Sequence, residues 1–153
     1  MKYLFVVDVQ REFAKKNKET YDKCIDYIEQ AGNSGEYDEI IAVMYKASDE
    51  FINMKRLVEW DMMHEVEPLD FIPDRVFYHC GYSVMQYPIL NRNDEVDIIG
   101  ADTDACVLSA CFHLFDIGCN MRILTDYLWS SGGEEMHEAG LKIMRRQFGK
   151  AVV

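Results

Sequence analysis

The chain has 153 residues, 49% of them apolar and 28% charged, and a formal net charge of −11. That is one domain's length, 1-153, with enough apolar residues for a full-sized core, which excludes a disordered chain. The acidic balance excludes nucleic acid as a partner, since neutralising phosphates takes a basic face, and no apolar run is long enough to span a membrane.

In chain order, residues 2 to 7 (KYLFVV) read as a buried strand, and Asp8 ends it. Residues 19 to 32 predict a helix, with Tyr21, Cys24, Ile25 and Ile28 on one face and Gly32 as its stop signal. EIIAVMY, 39 to 45, is a second strand, and Phe51 to Trp60 a short helix or lid. DRVFYH, 74 to 79, and EVDIIG, 95 to 100, are the third and fourth strands. A helix from Thr103 to Ile117 follows, then MRILTD, 121 to 126, a helix from about Gly133 to Phe148, and AVV as the start of a sixth strand. Continuous rather than alternating apolar strands, separated by helices, predict a doubly wound, mainly parallel α/β sheet of about six strands in a three-layer α/β/α arrangement.

In such sheets ligands bind beyond the carboxyl ends of the strands, near the point where strand order reverses. The polar residues expected there are Asp8, Lys46, His79, the stretch from Asp102 to Cys106, and Asp126. Cys106 falls in the first turn of its helix, where unpaired N–H groups and the helix dipole favour a thiolate and can hold an oxyanion. Buried cysteines are usually small hydrophobes, so position alone only permits activation. Asp8 can take a thiol proton or simply cap the segment after it.

The motifs D-x-Q-x-x-F (Asp8, Gln10, Phe13) and G-x-x-T-x-x-C-V (Gly100, Thr103, Cys106, Val107), with the segment 124 to 149, resemble the isochorismatase-like cysteine hydrolases over nearly the whole chain. That family includes nicotinamidases, carbamoyl-amide hydrolases and isochorismatases. The resemblance implies an Asp–Lys–Cys triad with Asp8 as base and Cys106 as nucleophile, an acyl-enzyme released by water, and an oxyanion hole from the N–H groups of Asp102 and Cys106. It also implies a cis peptide at Ala101–Asp102, a small-molecule substrate, and a homodimer or higher homo-oligomer. Tyr82, Met85 and Thr103, with Gln10 and Phe13, are the expected pocket residues, and Trp60 and Trp129 either join them or pack in the core.

Two departures from the family pattern stand out. The family lysine commonly opens K-x-x-Y-S-x-F, whereas here the segment is HCGYSVM, with His79 at the lysine position and Met85 at the phenylalanine. A lysine is a permanent cation, while histidine is one only at mildly acid pH unless a carboxylate raises it. His79 can substitute for the lysine in a Cys–His–Asp arrangement, Lys46 can supply the charge instead, or the site can be degenerate and bind without turnover. The second departure concerns metal: YKASDEF, 45 to 51, lacks the histidines of the family's metal site, and His64 stands alone. No metal and no cofactor are therefore expected, and Gly132-Gly133 lacks phosphate-cradle spacing.

Five cysteines without zinc-type spacing point to reduced thiols, and an apolar run broken by Asp8 is a poor secretory signal, so the protein is expected in the cytoplasm. A thiol redox role would need Cys80 as the partner of Cys106, because Cys111 sits on another side of the same helix.

Overall fold

The computed structural model describes residues 1–84 and 90–153. Its five strands, β1 (Lys2–Val7), β2 (Glu39–Tyr45), β3 (Arg75–His79), β4 (Glu95–Ala101) and β5 (Asn120–Trp129), form one parallel sheet in the order β3-β2-β1-β4-β5. The continuous apolar character of β1 follows from its central place. Tyr3, Phe5 and Val7 face one core while Leu4 and Val6 face the other, so every position after Lys2 is buried. Each such fully buried side chain contributes about 1.5–3 kcal/mol.

Helix α1 (Lys18–Ser34) covers one face through Tyr21, Cys24, Ile28 and Ala31. After the short α2 (Asn53–Val58), helices α3 (Cys106–Ile117) and α4 (Glu134–Phe148) cover the other through Val107, Ala110, Leu114, Leu141 and Met144. Among the described residues no helix is long and apolar enough to cross a membrane.

The expected α/β arrangement is present, with several differences of detail. Helix α1 runs past Gly32 and stops at Gly35, whose φ of 68° supplies the left-handed cap. The strand expected to end at Asp126 carries an irregularity after Ile98/Ile123 and continues to Trp129, leaving Asp126 exposed in mid-strand. The sixth strand is reduced to a single parallel bridge between Val152 and Ile123, because the residues before it close into a 3-10 turn. Helix α3 begins at Cys106 rather than Thr103, so residues 103 to 105 remain a turn.

A carboxylate lies inside the sheet. Asp97 of β4 is 2% exposed and accepts hydrogen bonds from the guanidinium of Arg122, its cross-strand neighbour on β5, and from the Tyr37 hydroxyl at 2.6 Å. Burial alone would push this carboxyl up; the bonds from Arg122 and Tyr37 outweigh it and hold the group below its ordinary value.

Candidate active site

Strand order reverses between β1 and β4, and the residues leaving those two strands form the site. Gly100 makes the junction possible: a Cβ there would come within 1.9 Å of the Val7 carbonyl oxygen. Asp8, 1% exposed, leaves β1 with φ of 48°, and its N–H is held by Val43. His79 ends β3, and its Nε2 lies 2.8 Å from Asp8 Oδ1 while its Nδ1 lies 2.7 Å from the Gly81 carbonyl. Cys106 opens α3, and the donor atoms of Asp8, His79 and Cys106 all lie within 4.8 Å of one another.

The hydrogen bonds determine the state of the imidazole. The Gly81 carbonyl can only accept, so Nδ1 carries a proton; opposite a carboxylate at Asp8, Nε2 carries one as well, which is the cationic form of the ring. Burial pulls His79 down, but the Asp8 charge, the Asp8 hydrogen bond and the Gly81 carbonyl more than offset it, and its pKa is raised above 6.5. Asp8 Oδ2, the second carboxylate oxygen, is buried and has no hydrogen-bond partner within contact distance among the described residues, and the Cys106 thiol is the group nearby that can donate to it. The Cys106 thiol is pushed well above its ordinary value, first by burial and then by the carboxylates of Asp8, Asp102 and Asp104.

Below the thiol, the N–H groups of Ala105 and Val107 both close on the Asp102 carbonyl, at 3.0 and 3.1 Å. The N–H groups of Asp102 and Cys106 meet no acceptor among the described residues. The peptide bond between Ala101 and Asp102 is cis. The Asp102 carboxylate is fixed by Ser131, whose N–H and hydroxyl donate to its two oxygens at 2.7 and 2.6 Å, and Asp104 accepts from the Ser130 hydroxyl at 2.5 Å. These two serines follow β5 and fix the turn that leads into α3 from the side. Gly140 of α4 lets the helix press on the same turn, since a Cβ would lie 2.8 Å from the Thr103 backbone.

Above Cys106 lies a cavity of about 220 Å³. Phe13, Tyr45, Trp60 and Tyr82 supply its aromatic walls, Met54 and Val58 of α2 its roof, and Asp102, Asp104 and Ser131 its polar side. The Phe13 ring stacks on Trp60 at 6.1 Å and meets the edge of Tyr45 at 6.0 Å. The chain reversal after α2, where the Trp60 N–H donates to the Met54 carbonyl, brings Trp60 back over Phe13.

Of the pocket residues expected from the sequence, Phe13 and Tyr82 line this cavity, and Met85 lies outside the described residues. Gln10 is absorbed elsewhere: its amide spans the Tyr45 backbone, donating to the carbonyl at 3.0 Å and accepting from the N–H at 2.9 Å. Thr103 is buried, its hydroxyl 2.7 Å from His137 Nδ1. Trp129 is a core residue whose Nε1 donates to the Phe13 carbonyl. Lys46 is exposed, its ammonium 6.0 Å from the centre of the Tyr78 ring, and is not among the residues that line the cavity. Sequence reasoning gave no site role to Tyr45, Ser130 and Ser131; it placed Asp104 only within the polar stretch from Asp102 to Cys106, and Met54 only on the short helix or lid. The two serines follow β5 directly, and placing the end of that strand at Asp126 hid them.

His64 is not alone. Its Nδ1 lies 3.4 Å from Asp49 and its Nε2 2.7 Å from Asp61. The two carboxylates face opposite edges of one ring, and the Lys55 ammonium already sits 3.1 Å from Asp61. Donors that diverge around a ring beside a lysine do not fit a divalent cation, which needs them converging.

A family model, the isochorismatase domain, matches residues 2–153. No curated protein sequence matches the chain. Among solved structures, the nicotinamidase of Bacillus subtilis is similar at TM-score 0.74 and 17% identity, covering 99% of this chain and 98% of that one. The pyrazinamidase/nicotinamidase of Streptococcus mutans is similar at 0.73 and 18%, covering 100% of both. The pyrazinamidase of Pyrococcus horikoshii in complex with zinc is similar at 0.73 and 19%, covering 99% and 96%. At these identities the likeness establishes the fold.

Proposed function

The chain belongs to the isochorismatase family, and from that premise we propose that it is a metal-independent cysteine hydrolase cleaving an amide, ureido or related C–N bond of a small molecule. The observation that carries this reading is the buried Oδ2 of Asp8, without another hydrogen-bond donor among the described residues, beside the Cys106 thiol, with His79 engaged on Oδ1. A buried acceptor with no donor is costly unless something uses it, and here the thiol proton can.

The resting nucleophile is a thiol. As Sγ attacks the substrate carbonyl carbon, its proton passes to Asp8 Oδ2, and the carbonyl oxygen takes the charge against the N–H groups of Asp102 and Cys106. The C–N bond then breaks, and Asp8 returns the proton to the leaving nitrogen. This leaves a Cys106 thioester and a free amine or ammonia. Water, giving a proton to Asp8, attacks the thioester; the acid departs and Sγ recovers the proton. One amide and one water become one acid and one amine. His79 keeps both its protons throughout. It is the cation in place of the family lysine, and with both nitrogens committed it is not the base for the thiol.

A second reading rests on the thiol itself. Burial and three carboxylates raise Cys106, the reverse of an activated cysteine, and a site so held could bind without turnover. Screening small amides and ureides separates the two. Turnover that Cys106→Ala abolishes supports the hydrolase; ligand binding that survives Cys106→Ser, with no turnover by the unaltered protein, supports the binding module.

Self-association belongs to the same reading. Phe112 and Phe115, 42% and 57% exposed, flank Phe148 on the α3–α4 face. Helix α4 runs from Glu134 and Glu135 to Arg145 and Arg146, so a second copy packed antiparallel on it would meet opposite charge at both ends. Light scattering of Phe115→Glu reads this directly, with a monomer expected where the unaltered chain is a dimer.

A further inference from the structure

We propose that the molecule this site takes is a cation: an amide or ureide carrying an ammonium or amidinium group, held at Asp104 between the rings of Phe13, Trp60 and Tyr82. The inference rests on the hydrolase reading for the bond that is cleaved, but it concerns only which molecules the cavity admits.

Charge is the first argument. Asp8, Asp102 and Asp104 all act on the Cys106 thiol, while His79 is the one cation among them. Among the described residues that line the cavity there is no lysine or arginine. The lid's Lys55 is paired with Asp61. A substrate bearing its own carboxylate would enter a negative site with no lysine or arginine among the described lining residues to receive it. A cation is drawn in, and the chain's net charge of −11 favours the same sign at long range.

The second argument is the capacity left on each group. Ser131 occupies both oxygens of Asp102, and Asp8, with one oxygen on His79 and the other beside the Cys106 thiol, is not among the described residues that line the cavity. Asp104 accepts one hydroxyl, from Ser130, and stands in no ion pair among the described residues. It lines the cavity together with the aromatic rings. A carboxylate beside ring faces is the chemistry that recognises an alkylammonium or amidinium, through a charge pair at one end and cation–π contact along the sides. Such a ligand would also act on the nucleophile. Positive charge near Asp104 offsets the field that holds the thiol proton, so the thiol releases it more readily when the right substrate is bound.

The test uses Cys106→Ala, so that binding is read without turnover. By calorimetry, para-(aminomethyl)benzamide is compared with its neutral counterpart para-ethylbenzamide and the anionic para-(carboxymethyl)benzamide. The cationic amide is expected to bind about tenfold more tightly than the neutral one, with the anionic one weakest. Adding Asp104→Asn should remove that preference. As a check independent of any further substitution, the preference should shrink between low and high salt. Equal or tighter binding of the neutral or anionic amide, an unchanged preference in the double variant, or no binding by any of the three overturns the proposal. If the preference holds while the unaltered protein cleaves none of the three, the hydrolase reading fails and the charge selection stands.

Discussion

Two aspartates of the same sheet are equally buried and differently completed. Asp97, within β4, has its oxygens filled by Arg122 and Tyr37. Asp8, just past the end of β1, has one oxygen engaged by His79 and the other open among the described residues, beside the Cys106 thiol. A satisfied buried carboxylate ties strands together, whereas an unsatisfied one beside a thiol is a proton acceptor in waiting. Burial therefore does not separate structural from chemical carboxylates; the unfilled lone pair does.

The largest expected effect sharpens the chemical side of that contrast. Cys106→Ala should lower turnover by about 10⁴-fold or more while leaving thermal unfolding nearly unchanged. Next comes the pair itself. Asp8→Asn should cut kcat by about 10³-fold, with its stability loss limited because the buried His79 goes neutral once its carboxylate is gone. Asp97→Asn should leave kcat of the folded protein in place and cost about 2–3 kcal/mol, discounted because Arg122 is half exposed. Urea titration and steady-state rates on both variants read this, and the contrast breaks if the two exchange roles.

The pH dependence of each site differs in sign. The Asp97 carboxyl is held low in the folded state, so its stabilisation is present above the ordinary carboxylate value and lost as pH falls through the lowered folded value. His79 is raised, so its contribution is complete below 6.5 and lost as pH rises through the higher folded value. The kcat/KM profile should accordingly fall on an alkaline limb above 6.5. His79→Lys should carry that limb to higher pH, and a limb that does not move would remove His79 from its role as the cation. The smallest effect is on the supporting serine: Ser131→Ala should lower kcat by about tenfold through a loosened Asp102, with stability changed by no more than about 1 kcal/mol.

Much of this was legible in the chain. Unbroken apolar runs such as LFVV and EIIAVMY marked a parallel sheet, because only strands buried on both faces can be apolar throughout. The carboxyl-end rule then placed Asp8, His79 and Cys106 together. What stayed hidden depends on contacts distant in sequence. Nothing in EVDIIG marks Asp97 as satisfied, since Tyr37 and Arg122 reach it from two other segments. Gln10 looked like a pocket residue but spends both ends of its amide on Tyr45, and Thr103 spends its hydroxyl on His137. The irregularity in β5 carried the strand past Asp126 and moved the site's edge to Ser130 and Ser131. His64 looked isolated because its partners, Asp49 and Asp61, meet it only once the lid folds back.

The most direct test is acylation of Cys106. The protein is mixed with a para-nitrophenyl ester, and intact-mass spectrometry with peptide mapping follows the adduct in the unaltered chain, Asp8→Asn and Asp97→Asn. The account requires a transient adduct confined to Cys106, formed at similar rates in the unaltered chain and Asp97→Asn and about 10³-fold more slowly in Asp8→Asn. An adduct spread over the other cysteines, or one indifferent to Asp8, would contradict it.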